Sequence, residues 1–471
     1  QHFERGYKMT TEPWALEGVE VARLITSKEL SAAEVAESHI NRINDVNKKL
    51  NAVVVRTDVE ARARAQEVDA GNVHGPLAGV AITTKINTDH LPYPMDNGIR
   101  ALKDNPSAST HASIQGLLND GAVMLGRTNS PAFALRSHTG NDLHGETHNP
   151  YGQHLTPGGS SGGAGAAVAT GMCAIAQGND VAGSVRWPAF CNGVIGLRPT
   201  IGRMPSGGSN PNPRGLSAMM MSTQGPLART MADLRLGYSA MQFPNWNDPF
   251  WVPMQNDFPE AKAPLRVALL VEDGRDMHES TRFAIRKVGV LLQDAGYEVE
   301  EISPPMLEVL FGMWLRLGAL DVQLGLVPQL ELLNDSGLTQ AIQGMLPAFP
   351  PPTSQVMMQA LADRDLLFRA WNVFFEQYPL LVMPVLAKPF MRMNEDLEGP
   401  EHMADLWSDL RYTVNLASLA IPSLAFPVGH EDGIPLGVQI ATHAWREDRL
   451  LAVGDALEER LGKVAVVDPV W

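Results

Sequence analysis

The sequence predicts an α/β fold, in which helices cover a central sheet. Three observations predict it. Short apolar runs typical of strands alternate with amphipathic or small-residue segments typical of helices. The 471-residue chain is 44% hydrophobic, enough to bury a large core. Since no repeat and no strong linker divides it, we expect one domain over residues 9–471, preceded by a tag or loose tail over residues 1–8.

The first predicted helix begins at a capping box, because Ser31 is followed by Glu34, and it carries apolar residues on one stripe. The later elements follow from apolar runs bounded by turn residues. In chain order they are strands at 51–55 and 76–85, a helix at 110–121, a strand at 122–126, a helix at 164–171, strands at 173–177 and within 265–274, a helix near 279–294, a strand at 297–302, two strands in the last segment, and a helix from about Glu447.

Composition narrows the possible functions. The net charge is −15 and basic residues are dispersed, which argues against a nucleic-acid partner. Two cysteines exclude a disulfide framework and favour a reducing compartment. No run of eighteen apolar residues and no secretory signal are found, so we expect no membrane span and a cytoplasmic location. The 13 histidines lack ligand spacing, so no metal is expected.

The stretch TPGGSSGG (156–163) sets two serines among four glycines. Such a run does not suit an ordinary helix or a central strand, because glycine loses much entropy there and proline lacks a donor. GGSSG satisfies G-x-S-x-G, but no strand precedes it, as a nucleophile elbow requires. The Gly-Lys-Ser/Thr ending of a P-loop is missing. A flexible linker stays open, although the run leads directly into a predicted buried helix.

Two other positions carry possible chemistry. Ser184 follows the small-residue turn Val181-Ala182-Gly183, where successive backbone N–H groups can form an oxyanion hole. Taken alone, Ser184 is better explained as a helix N-cap. Lys85 ends a predicted buried strand, and a solvated lysine is the commoner case there. If Lys85 is buried, desolvation lowers its pKa and the neutral amine becomes a base.

Together these segments resemble a known family. PLAGVAITTK, GRTNSPAFA, TPGGSSGG, GNDVAGSVRWPAFCNGVIGLRPTIGR, GPLARTMADL and IPLGVQI are similar, in order and spacing, to the blocks of the amidase signature family. The resemblance runs roughly from Gly18 to Gly462 and is densest over 76–233, the signature core. It implies the amidase signature fold, a central twisted mixed sheet with helices on both faces in three α/β/α layers.

The resemblance also implies a Ser–cis-Ser–Lys triad. Ser184 matches the nucleophile, Ser160 matches the bridging serine with a cis peptide bond before it, and Lys85 matches the base. The reaction implied is C–N bond hydrolysis through an acyl-enzyme on Ser184, with neither metal nor cofactor. The backbone N–H groups implied to hold the oxyanion are those of Val181, Ala182, Gly183 and Ser184. The supporting residues are Ser161, Gly159, Asp180 and Arg186, the last two as a loop orienter and a buried ion-pair partner.

The chain departs from the family pattern near these residues. Ala182 stands where the family usually has glycine, so the turn must tolerate a Cβ. Ile86 stands where Asp is common, which removes a negative charge beside Lys85 and helps to keep its amine neutral. The motif GNDxAGSVR is shared with cyclic-amide and nylon-oligomer hydrolases of the family. These departures bear on substrate preference.

We expect residues 303–410 and the methionine run at 219–221 to line the substrate pockets, although core packing is the better explanation for most of these side chains. The candidates are Met219, Met220, Met221, Met313, Trp314 and Met357. No arginine is placed to clamp a carboxylate, which favours small uncharged amides and anilides, with esters and carbamates (urethanes) as further possibilities. The alternatives are an amidotransferase subunit that hydrolyses glutamine with a partner chain, and a non-catalytic phosphate-binding module. The oligomeric state does not follow from the sequence.

Overall fold

The computed structural model describes residues 11–206, 214–254 and 265–471. The predicted tail over 1–8 lies outside these residues, and the single-domain assignment stays a prediction. The α-helices are α1 (Gly18–Thr26), α2 (Ala32–Leu50), α3 (Asp58–Asp69), α4 (Ala112–Asn119), α5 (Gly162–Ala169), α6 (Arg186–Cys191), α7 (Leu216–Met221), α8 (Met231–Ala240), α9 (Glu279–Asp294), α10 (Leu307–Leu320), α11 (Leu330–Leu333), α12 (Ser336–Met345), α13 (Ser354–Gln377), α14 (Pro400–Ser418) and α15 (Glu447–Leu461). The strands are β1 (Val53–Arg56), β2 (Ala81–Lys85), β3 (Val123–Thr128), β4 (Gly140–Asn141), β5 (Gly145–Glu146), β6 (Ile175–Asp180), β7 (Ile195–Arg198), β8 (Thr223–Ala228), β9 (Arg266–Leu269), β10 (Glu298–Glu301), β11 (Leu380–Met383), β12 (Ser423–Glu431) and β13 (Ile434–Thr442).

One large mixed sheet organises the fold. The described residues form an 11-stranded sheet in the order β1-β3-β2-β6-β8-β7-β12-β13-β11-β9-β10, and β4 pairs with β5 apart from it. Strand β2 lies parallel to β3 and β6, whereas β6 and β7 are antiparallel to β8. The predicted mixed sheet is therefore confirmed.

Helices cover both faces of this sheet. Successive residues along one strand contribute to different apolar clusters, because side chains alternate between the faces. Ile82 of β2 belongs to a cluster that includes α8, α9 and α15, while Ala81 belongs to a second cluster that includes α2, α5 and α6. The α/β class with helices on both faces is confirmed.

The local signals behave as predicted where they are strong. The Ser31 hydroxyl accepts from the backbone N–H of Glu34, and the Glu34 carboxylate accepts from the backbone N–H of Ser31, so both halves of the capping box form. Gly121, with φ +95°, follows the end of α4. The small-residue helix after the glycine run is α5, and all eight of its residues are buried.

Besides the two-residue strands β4 and β5, three strands of the large sheet lack a sequence prediction of their own: β7, β8 and β11. Each is short and fully buried, so it shows no polar–apolar alternation, and a buried strand cannot be told from a buried helical turn by periodicity. Strand β11 interrupts the helical stretch 303–410, which contains α10 to α13 and part of α14.

Among the described residues one helical stretch, Leu307–Leu333, is long and apolar enough to cross a bilayer by length and composition alone. Its most apolar window has a mean hydropathy of 1.3, and 39% of that window is buried. In the structure the stretch is divided into α10, a π-helical segment at Asp321–Leu326, a single 3₁₀ turn and α11. The absence of a membrane span therefore stays a prediction from the sequence.

Candidate active site

Lys85 ends β2 with its amine-bearing side chain fully buried. Its Nζ lies 2.7 Å from Ser160 Oγ, 3.0 Å from Ser161 Oγ and 2.8 Å from Asn179 Oδ1. Burial lowers the pKa of Lys85 well below its usual 10.5, and the charge of Asp180 only partly opposes this shift. The predicted buried lysine and its two predicted serine neighbours therefore meet, in surroundings that favour the neutral amine.

Ser160 and Ser161 belong to a buried loop that runs directly into α5. The peptide bond between Gly159 and Ser160 is cis. A Cβ on Gly159 would lie 2.3 Å from the carbonyl oxygen of Arg136, and one on Gly163 would lie 2.6 Å from the backbone nitrogen of Asn129. The glycines are present because other backbone passes at contact distance, which does not fit a flexible linker.

Ser184 lies in the turn that joins β6 to α6. Its carbonyl accepts from the backbone N–H of Ser161 at 3.2 Å, which holds this turn against the glycine loop. Gly183 has φ +119°, and a Cβ there would lie 2.6 Å from Thr413 Oγ1. Ala182 is absent from the positive-φ residues, so the turn tolerates its Cβ as the sequence required.

Asp180 organises this turn through both carboxylate oxygens. It accepts from the backbone N–H of Gly183 at 2.8 Å and of Val185 at 3.2 Å. It also forms buried ion pairs with Arg186 at 3.0 Å and Arg198 at 3.1 Å. The two guanidinium groups keep the pKa of Asp180 far below its usual value, although burial opposes this. The interpretation of Asp180 and Arg186 as a loop orienter and its ion-pair partner agrees with these contacts.

A cavity of about 610 Å³ opens beside these groups. Ser160, Ser184 and the turn residues 181–183 line it, together with many apolar side chains. Its larger apolar lining residues include Phe133, Met221, Trp314, Met345, Phe349 and Trp407. The Trp314 and Trp407 rings lie 4.6 Å apart, and Phe311 stacks on Trp314 from behind at 5.9 Å. The wall suits an apolar or aromatic group.

Charged groups in the cavity wall are either acidic or paired. Arg136 is 2.9 Å from Asp396, and both side chains are almost fully buried. The carboxylate of Asp321 accepts from the backbone N–H groups of Leu216 and Ser217 at the start of α7. Asp89 is a further acidic lining residue. An anionic substrate would therefore meet two carboxylates and an arginine that already has its counter-ion.

The predicted pocket residues divide into two groups. Met221 and Trp314 line the cavity. Met219, Met220, Met313 and Met357 do not belong to its described lining. Helical periodicity explains the methionine run, since Ser217, Ala218 and Met221 share the cavity-facing side of α7, whereas Met220 packs against the apolar clusters. Met313 is fully buried in the core.

Sequence reasoning missed several residues that contact the site. Asn179 contacts Lys85, and Arg198 is the second arginine on Asp180. Arg127 donates to the backbone carbonyls of Lys85 at 2.9 Å and Thr88 at 2.6 Å, which fixes the end of β2. The available signal for Asn179 was a polar residue just beyond the predicted strand at 173–177 and directly before Asp180, a predicted supporting residue. Among the described residues, no group of three or more His, Cys, Asp or Glu side chains is placed to hold a metal ion.

The family described as Amidase matches residues 34–451 of the chain. Indoleacetamide hydrolase from Bradyrhizobium diazoefficiens is 37% identical over 459 residues, covering 96% of this chain and 88% of the relative. Acylamidase from Rhodococcus erythropolis is 30% identical over 464 residues, covering 93% of each chain. A glutamyl-tRNA(Gln) amidotransferase chain from Acidothermus cellulolyticus is 29% identical over 494 residues, covering 96% of each chain.

Solved structures of amide hydrolases also resemble this chain. The structure of 6-aminohexanoate cyclic dimer hydrolase complexed with substrate has a TM-score of 0.85 at 25% identity, covering 98% of this chain and 99% of that one. A bacterial aryl acylamidase of the amidase signature family has a TM-score of 0.83 at 27% identity, covering 94% and 96%. The chain belongs to the amidase signature family. It is a hydrolase that acts on amides.

Proposed function

We propose that the protein is a serine amidase that cleaves C–N bonds through an acyl-enzyme on Ser184. The observation that carries this proposal is the contact of 2.7 Å between the buried Nζ of Lys85 and the hydroxyl of Ser160. An amine kept neutral by burial can accept a proton, and a serine beside it can pass one on.

In the proposed mechanism Ser160 gives its proton to Lys85 Nζ and takes one from Ser184. The Ser184 oxygen bonds to the substrate carbonyl carbon, and the oxyanion accepts from backbone N–H groups of the turn. The proton returns from Lys85 through Ser160 to the leaving nitrogen as the C–N bond breaks. Water, deprotonated by the same route, then hydrolyses the ester and regenerates Ser184.

The oxyanion donors differ from the sequence expectation at one position. The N–H of Gly183 already donates to Asp180. The proposed donors are therefore the N–H groups of Val181, Ala182 and Ser184, while Gly183 shapes the turn and does not donate to the oxyanion. Losing one such donor would raise the barrier by about 2.7–4 kcal/mol.

The proposed substrates are uncharged amides and anilides with an aromatic group. The apolar, aromatic wall and its acidic charged residues support this class, as do relatives named for indoleacetamide and acylamide hydrolysis. Carbamates and esters are the finer part of the proposal, because their carbonyl carbon is attacked in the same way. Cleaving the C–N bond of a carbamate releases an amine and leaves a carbonate ester on Ser184.

Covalent labelling tests the nucleophile without knowledge of the substrate. A fluorophosphonate should label the wild-type protein at Ser184, should not label Ser184→Ala, and should label Lys85→Ala much more slowly. An unlabelled wild-type protein would favour the phosphate-binding module instead.

A substrate panel tests the specificity. The expected order of kcat/KM is an arylacetamide or anilide above glutamine, with measurable turnover of a low-mass aromatic dicarbamate. Absence of carbamate turnover in a preparation that hydrolyses the anilide would remove carbamates from the proposal. Preferential hydrolysis of glutamine would support the amidotransferase alternative.

A further inference from the structure

The contacts of Lys85 bear on the direction in which its free amine accepts a proton. Its Nζ has three polar neighbours within 3.0 Å: Ser160 Oγ, Asn179 Oδ1 and Ser161 Oγ. A neutral primary amine has two N–H bonds and one lone pair, and only the lone pair can take a proton from Ser160. The neighbours that accept the two N–H bonds therefore decide whether the lone pair faces Ser160.

The amide of Asn179 is oriented by its own hydrogen bonds. Its Nδ2 donates to Asn87 Oδ1 at 2.8 Å and to Thr88 Oγ1 at 3.3 Å, and Asn87 Nδ2 approaches Asn179 Oδ1 at 3.5 Å. Turning the amide over would set two carbonyl oxygens, of Asn179 and Asn87, against each other. Oδ1 therefore faces Lys85, where as a carbonyl oxygen it can only accept.

Ser161 accepts the second N–H. Its hydroxyl donates to the main-chain carbonyl of Asn179 at 3.4 Å, which leaves the oxygen of that hydroxyl to face Lys85 as an acceptor. Both N–H bonds of the amine are then used, one by Asn179 and one by Ser161. The lone pair is left for Ser160, the shortest of the three contacts.

We infer that Asn179 is a positioning residue that aims the lone pair of Lys85 at Ser160. It acts twice, through its side-chain oxygen on Lys85 and through its main-chain carbonyl on Ser161. The inference rests on the proposed function, since it assigns a role to Asn179 only if Lys85 is the base.

Two variants test the inference by different readouts. Asn179→Ala removes the acceptor, and because the amine can then rotate we expect kcat for an anilide to fall about tenfold to a hundredfold with KM little changed. Asn179→Asp keeps the shape of the side chain but places a negative charge beside Lys85 Nζ, which favours the ammonium form of Lys85. The acid limb of kcat/KM should then move up by about 1–3 pH units, with activity recovered at alkaline pH.

The matched control is Asn415→Asp, which also adds a buried carboxylate. Asn415 is fully buried on α14 and donates to the Leu307 carbonyl, not to Lys85. The other charged group that acts on Lys85 is Asp180, and it is retained in all variants. Asn415→Asp should keep the wild-type pH profile. The rate of fluorophosphonate labelling at Ser184, which needs no substrate, should show the same pH shift for Asn179→Asp and no shift for Asn415→Asp.

The possible failures are distinguishable. If the wild-type protein neither labels nor hydrolyses an amide, the proposed function falls. If the wild type is active and folded Asn179→Asp has the wild-type pH profile, only the positioning role is overturned. A wild-type kcat in Asn179→Ala would also overturn the positioning role of Asn179. Thermal unfolding of each variant distinguishes loss of the fold from loss of proton transfer.

Discussion

Burial outweighs the opposing effect of Asp180 on the pKa of Lys85 and so favours the neutral amine. Asp180 raises the pKa of Lys85, but this effect is second to desolvation. The carboxylate of Asp180 is shared between Arg186 and Arg198, so much of its field is cancelled before it reaches Nζ. Ile86 stands in place of a common Asp, so among the described residues Asp180 is the charged group that acts on the amine, and it is paired.

The depressed pKa of Lys85 makes both activity and stability depend on pH. Activity should fall as the pH drops through the folded-state pKa of Lys85, because the amine is then charged. Between that pKa, well below 10.5, and the unfolded value near 10.4 the unfolded chain binds more protons, so stability rises with pH. In Lys85→Met this contribution is gone.

Denaturant unfolding of both proteins at several pH values checks the sign. As the pH rises from the folded-state pKa of Lys85 to about pH 10, the wild type should gain free energy of unfolding relative to Lys85→Met. A constant difference between the two proteins would mean that the folded-state pKa of Lys85 is not depressed. Hydrogen bonds lost in Lys85→Met change its free energy of unfolding by the same amount at every pH. The test is therefore the slope of the difference between the two proteins against pH.

Asp180→Asn should be among the most destabilising single changes in the protein. It leaves Arg186 and Arg198 fully buried without a counter-ion, at a cost of about 3–5 kcal/mol. It also weakens the acceptor of the Gly183 N–H, so kcat should fall along with stability. Asp365→Asn is the control, because its ion pair with Arg369 is about 70% exposed on both sides and should contribute less than about 1 kcal/mol.

Thermal unfolding and soluble yield measure both variants. A melting temperature for Asp180→Asn within a degree of the control would show that the two buried arginines do not depend on this carboxylate.

At the scale of elements, the glycine-rich start of α5 allows the helix to touch neighbouring backbone. A Cβ on Gly163 would meet the backbone nitrogen of Asn129 at 2.6 Å and the carbonyl oxygen of Ala52 at 2.7 Å. Asn129 lies just after β3 and Ala52 lies just before β1. Both atoms belong to the backbone, so they cannot move aside as the end of a flexible side chain can. The approach places Ser160 and Ser161, just before α5, within reach of Lys85.

Gly163→Ala should therefore destabilise the protein by about 1–3 kcal/mol, the usual cost of overpacking, and slow the labelling of Ser184. Gly312→Ala is the matched control in another helix, α10, since the nearest atom to its Cβ is the end of the Arg316 side chain at 3.5 Å. The control should be neutral or stabilise by up to about 1 kcal/mol, because alanine is the better helix former. Equal melting temperatures for the two variants would mean that α5 shifts to accept the methyl group.

Local signals explain which elements could be predicted. The capping box of α2, the glycine after α4 and the turn-bounded run of β2 are each determined within a few residues, and each forms. Strands β7, β8 and β11 depend instead on burial from both faces, which is a property of the assembled sheet. The order of the sheet, which sets β6 beside β8 and β12 beside β7, has no local signal at all.

The site shows the same division. Lys85, Ser160 and Ser184 were predicted because their motifs resemble a family, while each alone favoured a structural explanation. Asn179 and Arg198 were missed because their roles arise from hydrogen bonds across the sheet that no spacing reveals. Met219 and Met313 were selected by composition, and the turn of a helix decides which side such a residue faces.

At the scale of the whole molecule, the cavity is built by two distant parts of the chain. The signature core supplies Lys85, the glycine loop and the turn, and α14 holds that turn from the other side. Thr413 donates to the carbonyl of Ala182 at 3.1 Å, and its own carbonyl accepts from Arg186 at 2.8 Å. Much of the remaining wall comes from α10, the π-helical segment and α12, within the stretch 303–410 that is predicted to line the substrate pockets. We therefore expect substitutions in α10 to alter substrate preference without altering the chemistry.

Gly318→Leu tests this separation. Gly318 lies on α10 in the cavity wall, and a Cβ there would meet only the Phe349 ring, at ordinary contact distances of 3.7 and 3.9 Å. The added side chain should occupy space meant for an aryl group, on a helix that supplies none of the proposed triad. We expect kcat/KM for a bulky anilide to fall at least about 10- to 200-fold, the range for a single methylene-sized group in an apolar pocket.

A small aliphatic amide such as propionamide should retain its wild-type kcat/KM in Gly318→Leu, because it does not reach that wall. Gly312→Leu, on the same helix but outside the cavity lining, should leave both substrates unchanged. A parallel loss on both substrates would mean that the insertion disturbs the reacting groups themselves. In that case the two parts of the chain could not be treated as separate determinants of chemistry and specificity.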